Sequence, residues 1–182
     1  ITEATVGSTT GIVTGVAAGT PTITYTLPTG CIATTVITVN TTPVAITGTT
    51  NTCVGTSTLL LDATSGGTWT SSNTAIATVG SGTGIVGGVT AGSVTISYTV
   101  AGCFASTAFT VNPNPSAIAG VFTVCQGQTV SLTDPTTSGV WSSSITTVAT
   151  IGSATGVVSG ILGGTVTITY TLPTGCIATA PF

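Results

Sequence analysis

Landmark residues recur at a fixed spacing, and this recurrence constrains the fold more than any single motif. Cys53 returns as Cys125, Asp62 as Asp134 and Trp69 as Trp141, each 72 positions on by subtraction. Cys31, Cys103 and Cys176 mark another point of the cycle, at steps of 72 and 73. Such a chain is one small folding unit used repeatedly, and each copy must bury its own core. Thr10-Gly11-Ile12-Val13 aligns with Thr83-Gly84-Ile85-Val86 and Thr155-Gly156-Val157-Val158, so residue 1 is expected to fall inside a unit whose first strands are missing. Truncation of a longer chain is the preferred expectation. Strands donated by another chain are the alternative, because apolar faces and unpaired backbone groups would otherwise be left open.

The chain has no Lys, Arg or His, and its acidic residues are Glu3, Asp62 and Asp134. Without cations it cannot displace counterions from a phosphate backbone or hold an acidic membrane surface, which argues against nucleic acid as a partner. Charged residues make up 2% of the chain and apolar residues 41%. With a mean hydropathy of +0.71 this is a core-forming chain, since disorder requires low hydrophobicity. Surface charge normally keeps soluble domains apart. Here about a quarter of the residues are Thr, far above ordinary usage, so the outer faces must be carpeted with hydroxyls. These are expected to be hydrated, glycosylated or packed between subunits. No apolar run reaches the roughly 18 residues of a transmembrane helix.

The periodicity is that of strands. Val94, Ile96, Tyr98 and Val100 alternate with Thr95, Ser97 and Thr99, and Val166, Ile168, Tyr170 and Leu172 with Thr167, Thr169 and Thr171. Period two sends the large residues inward and the hydroxyls outward, and β-branched Thr favours the strand as well. Turn residues divide the complete repeat into expected strands near 44–46, 56–61, 67–71, 75–79, 84–89, 93–100 and 104–111. Pro43 and the run Asn112-Pro113-Asn114-Pro115 sit where a strand would not tolerate proline. The expected fold is all-β, with tandem Ig-like β-sandwich modules. The expected boundaries are 1–42, the C-terminal part of a module; 43–113, a complete module; and 114–182, a nearly complete one.

Trp69-Thr70-Ser71-Ser72, Ala77-Thr78-Val79, Thr83-Gly84-Ile85-Val86 and Ala91-Gly92-Ser93-Val94-Thr95-Ile96 form a series that recurs from Trp141 onward. It resembles the bacterial Ig-like group 2 domains and related repeats of long secreted bacterial surface proteins. The resemblance covers both fuller modules and the last half of the first. It implies an Ig-like sandwich and a role as stalk, spacer or adhesive segment. The near absence of charge and the regular cysteine pair depart from that pattern.

Trp69 and Trp141, one per module on a strand after a glycine-containing turn, read as core anchors in preference to an exposed sugar platform. Tyr25, Tyr98 and Tyr170 occupy the inward phase of their strands and read the same way, each phenol requiring a hydrogen-bond partner. Asp62 and Asp134 follow strand ends and read as turn-stabilising residues; one carboxylate per module is too few for calcium. Gly80-Ser81-Gly82-Thr83-Gly84 lacks the lysine and the helix of a phosphate loop and reads as a tight turn. With no His or Lys to activate a hydroxyl, an enzyme is not expected, nor is a cofactor or a metal.

Five cysteines at repeated positions, without histidine, point to disulfides and an oxidising compartment. Pairing within modules, Cys53 with Cys103 and Cys125 with Cys176, is the preferred expectation, with the partner of Cys31 outside the sequence. Pairing along the string, Cys53 with Cys176, is the alternative, because spacing alone does not decide connectivity. Asn40 opens an N-linked acceptor sequence, and Thr95, Thr99, Thr167, Thr169 and Thr171 are candidate O-linked sites. The functional expectation is an extracellular or cell-surface structural protein whose modules form or decorate a bacterial filament, shielded by glycans or by packing. Its partners would be copies of itself or further modules, with covalent glycans. An adhesin stalk that binds glycans or a host surface is the alternative. Ice binding and an outer-membrane barrel fit less well, because a repeat of this length suits neither a short-period solenoid nor barrel hairpins.

Overall fold

The computed structural model describes residues 2–182, and every regular element in them is a β-strand. β1 (Ala4–Val6) pairs with β2 (Val13–Gly15), and β3 (Thr22–Thr26) with β4 (Ile32–Val36), forming two antiparallel ribbons. Eight strands follow: β5 (Thr47–Gly48), β6 (Asn51–Cys53), β7 (Ser57–Leu61), β8 (Thr68–Ser71), β9 (Ala77–Val79), β10 (Ile85–Gly88), β11 (Gly92–Val100) and β12 (Cys103–Asn112). The last seven are β13 (Ala119–Gly120), β14 (Thr129–Thr133), β15 (Val140–Ser143), β16 (Ala149–Ile151), β17 (Val157–Gly160), β18 (Thr167–Thr171) and β19 (Ile177–Pro181).

The middle strands form two sheets, ordered β5-β7-β10-β9 and β6-β12-β11-β8. The last strands repeat this plan as β13-β14-β17-β16 and β15-β18-β19. Each pair of sheets closes on its own core. In the middle sandwich Leu60, Ala77 and Val86 of one sheet pack with Trp69, Ile96, Tyr98 and Phe109 of the other. In the last, Leu132, Ala149 and Val158 pack with Trp141, Ile168 and Tyr170. Burying a side chain such as Leu60 or Ile96 contributes about 1.5–3 kcal/mol, so these short strands hold through their facing side chains more than through propensity.

Alternation in the sequence becomes alternation in space. Along β11, Val94, Ile96 and Tyr98 are buried while Ser93 and Thr95 are exposed. β11 and β12 pair from Gly92↔Val111 to Val100↔Cys103 across a two-residue turn. The turn holds Ala101 at φ 48° and Gly102 at φ 84°, the left-handed values that suit a tight hairpin. Residues 41–46 and 113–118 carry no strand, as their prolines require.

Three features differ from the sequence expectation. The expected strand at 44–46 is irregular, and β5 begins only at Thr47. β6 was not expected at all; it runs parallel to the end of β12, with Val111↔Thr52 and Asn112↔Cys53. A three-residue parallel strand has no hairpin turn to announce it. Tyr25, expected in the core, is 66% exposed. Its strand β3 pairs with β4 alone, whereas Tyr98 and Tyr170 have a tryptophan-bearing strand on their other side.

Candidate functional site: the joint between sandwiches

Cys53 ends β6 at the edge of the middle sandwich. Its turn is closed by backbone bonds from Thr56 N–H to the Cys53 carbonyl (3.1 Å) and from Gly55 N–H to the Gly88 carbonyl (2.9 Å). The Thr56 hydroxyl clamps the same turn, accepting from Cys53 N–H at 3.0 Å and donating to the Cys53 carbonyl at 2.9 Å. Thr52 is buried and its hydroxyl lies 2.7 Å from that of Thr56. Sequence reasoning missed both threonines, because nothing separates them from the many surface threonines until the turn is folded.

The partner arrives from the last sandwich. Cys176 sits in the turn between β18 and β19, where Leu172 N–H donates to the Cys176 carbonyl at 2.9 Å and Gly175 takes φ 85°. Cys53 and Cys176 are joined by a disulfide across 123 positions, with their Cα atoms 5.6 Å apart. Cys176 is 1% exposed and belongs to the core cluster of the last sandwich, against which Cys53 packs. Pro173 and Thr174 border a cleft with Thr50, Asn51, Thr110 and Asn112 of the preceding sandwich. The connecting segment is tied down as well: Asn114 Nδ2 donates to the Val54 carbonyl at 3.0 Å, and Val54 N–H to the Asn112 carbonyl at 3.1 Å.

This corrects the expected pairing. Cys103 opens β12, whereas Cys53 pairs alongside Asn112 at the other end of that strand. Nine residues of extended strand separate those ends by about 30 Å, and a disulfide needs Cα atoms within about 7 Å. Cys53 with Cys103 is therefore geometrically excluded, and Cys176 is already bonded elsewhere, so Cys125 does not pair with it. Cys31, Cys103 and Cys125 are free thiols, with Cys31 and Cys125 exposed.

Beneath the joint, each sandwich repeats one polar arrangement. Tyr98 lies opposite Trp69 on β8, with ring centroids 4.7 Å apart, and Tyr170 lies opposite Trp141 at 4.6 Å. The Tyr98 hydroxyl accepts from Gly67 N–H at 2.8 Å and donates to the Thr64 carbonyl at 2.7 Å. Thr64 N–H in turn donates to Asp62 Oδ1 at 2.8 Å. Asp134, Thr136, Gly139 and Tyr170 reproduce the chain at 2.7, 2.9 and 2.7 Å. Both aspartates thus accept from turn N–H groups two residues on, and the four aromatic side chains are buried.

Of the candidate glycan positions, Thr95 and Thr167 are exposed, and Thr99, Thr169 and Thr171 are half-buried. Asn40 is exposed, but its Nδ2, the atom a glycan would take, donates to the Ala101 carbonyl at 2.7 Å. A cavity of about 310 Å³ near Phe122, Val124, Val148, Gly160 and Phe182 is lined without a charged residue. Among the described residues no three His, Cys, Asp or Glu side chains cluster, and no helix is long and apolar enough to cross a membrane.

No protein-family model matches the sequence, and no curated protein aligns with it significantly. Matches to solved structures are at low identity. A C-terminal 282-residue fragment of intimin, solved with the intimin-binding domain of the translocated intimin receptor, matches 78% of this chain at 16% identity and TM-score 0.49. The match spans 64% of that fragment. Domains 4 and 5 of the S-layer protein SbsC match 78% of this chain and 98% of theirs, at 19% identity and TM-score 0.37. Human protocadherin-24 EC1-2 matches 77% of this chain and 95% of its own, at 16% identity and TM-score 0.33. The strand order and paired cores place this chain among the all-β, Ig-like sandwich proteins.

Proposed function

We propose that this chain is a structural segment of an extracellular bacterial surface protein, whose sandwich modules, with boundaries near 42/43 and 113/114, are stapled into a stiff string that forms or decorates a filament. One observation carries the reading: the disulfide runs from one sandwich to the next, so it resists bending at the joint rather than bracing a single core. Such a bond persists in an oxidising compartment, which supports a location outside the cytoplasm. Without Lys or His there is no side-chain base to activate a surface hydroxyl, and without cations there is no electrostatic face for a polyanion. Exposed Thr95 and Thr167, on strands of the outer faces, are the first candidates for O-linked sugars that would keep uncharged sandwiches from sticking together.

Small-angle scattering of the oxidised chain tests the string. A compact globule of this length has a radius of gyration of about 16 Å. The string reading expects a clearly larger value that broadens towards flexibility on reduction. A value near that of a globule would overturn it. Cryo-electron microscopy of native material tests the filament and its coat, with density continuing from threonine oxygens as the expected sign of glycans.

A further inference from the structure

The cystine joins the end of one strand to the start of another. β6 stops at Cys53, and β19 begins at Ile177, the residue after Cys176. Strand, cystine and strand therefore form one continuous path. Both strands are already extended, at about 3.3 Å per residue, so tension finds little in them to draw out.

The backbone takes a different course. After Cys53 it folds back through a turn that holds Gly55 at φ 80° and runs through β7 to β12. It then crosses the strandless residues 113–118 and passes through the last sandwich as far as β18 before it returns at Cys176. All of this is a closed loop of 123 positions whose ends are fixed 5.6 Å apart. Fully stretched, the same positions would span about 400–440 Å. Any pull applied before Cys53 and after Cys176 crosses the joint through sulfur. Leu60 and Phe109 of one core, and Leu132 and Ile168 of the other, lie inside the loop and off that path.

Without the bond the route changes. The pull then enters β6 and leaves from Asn112, and because β6 runs parallel to β12, it drags one strand along the other. That ladder is three residue pairs long, from Thr110↔Asn51 to Asn112↔Cys53. The hydrogen bonds behind it, Asn114 Nδ2 to the Val54 carbonyl at 3.0 Å and Val54 N–H to the Asn112 carbonyl at 3.1 Å, are noncovalent as well. The cystine is the one covalent tie across the joint besides the backbone, and it is sheltered. Cys176 is 1% exposed, and thiol–disulfide exchange depends on access to a sulfur.

We infer that Cys53–Cys176 is a tension shunt: load along the string passes from β6 through the cystine into β19, and the two sandwiches between stay folded because they carry none of it. The inference rests on the string reading and adds to it, since a staple against bending need not lie on the load path.

Single-molecule force spectroscopy of the full chain, held by handles fused to its two ends and pulled until a handle detaches, tests the shunt, with peptide mapping by mass spectrometry to establish the bond. Oxidised wild type is expected to extend only through residues outside the loop, chiefly β1 to β4. Cys53→Ser with Cys176→Ser is expected to release up to about 400–440 Å more, in two steps, one for each sandwich. Wild type folded first and then reduced with a phosphine keeps every side chain and should release the same length, which covers a variant that misfolds. If the double variant and the reduced wild type both reach handle detachment without the added steps, the sandwiches bear the load themselves, and the shunt is overturned while the string stands. Oxidised wild type that releases the added length with its Cys53–Cys176 peptide present before pulling would overturn the shunt too, because the bond would be failing under load. Absence of that peptide would overturn the string reading with it.

Discussion

The Tyr98 hydroxyl donates to the Thr64 carbonyl at 2.7 Å and so closes a chain of contacts from the turn of Asp62 to the ring of Trp69. The same oxygen accepts from Gly67 N–H at 2.8 Å. One phenol therefore satisfies two backbone groups of the turn that delivers Trp69 to the core. Tyr98→Phe keeps the ring and its packing but leaves both groups without their partner. A part-buried group stranded in this way costs about 1–3 kcal/mol. Urea unfolding should show a loss of that size for Tyr98→Phe, and a matching loss for Tyr170→Phe in the last sandwich.

Glycine is required at position 84 and is not required two residues earlier. Gly84 has φ +70°, and a Cβ there would meet the carbonyl oxygen of Leu60 and the indole of Trp69. The Gly84 carbonyl also accepts the Leu60 N–H at 3.0 Å, so the turn cannot move away without breaking that bond. Gly82 sits in the same turn with open space around it and no left-handed backbone. Gly84→Ala is expected to cost at least about 1–3 kcal/mol of strain, while Gly82→Ala should be neutral or slightly stabilising. Paired thermal melts of the two variants check this.

How far the sequence reveals this architecture depends on the range of the interaction. The strands, turns, buried tryptophans and Asp62 turn follow from period two and from local chemistry, all within a few residues. The Cys53–Cys176 joint does not, because two registers of a repeat satisfy the same spacing. What decides it is β6, whose parallel pairing puts Cys53 beside Asn112 and away from Cys103. Tyr25 shows the converse: an inward phase becomes burial only where neighbouring elements cover it, and β3 pairs with β4 alone.

A core anchor can be separated from an exposed sugar platform by its cost. Trp69 is 6% exposed and Trp141 7%, each packed at a tilt against its tyrosine and lying beside a glycine turn. Trp69→Ala should cost about 3–5 kcal/mol, a large share of the stability of a module this small. Tryptophan fluorescence should be correspondingly shielded from iodide until the protein unfolds. Strong quenching in the native state would contradict the burial.

With no lysine, arginine or histidine, no side-chain ion pair exists to be screened. Exposed charge pairs are what simple salt weakens in ordinary proteins, across a Debye length of about 10 Å at 0.1 M. Raising sodium chloride from low to moderate concentration should therefore leave the thermal midpoint within about a degree, apart from the mild strengthening of apolar burial that salts produce. A sharp fall would mean that electrostatics outside the described contacts hold the sandwiches together.

The cystine should matter most for how the sandwiches unfold together. Its loop spans 123 positions, and closing one of that size restricts the unfolded chain by about 5 kcal/mol in the chain-entropy description. Each sandwich keeps its own core, Leu60 and Phe109 in one and Leu132 and Ile168 in the other, so removing the bond should leave both folded. Cys53→Ser with Cys176→Ser is therefore expected to lose up to that amount and to split one cooperative transition into two. Calorimetry of the oxidised protein and the double variant distinguishes the cases. One unchanged transition in both would show that packing at the joint, rather than the covalent bond, carries the coupling.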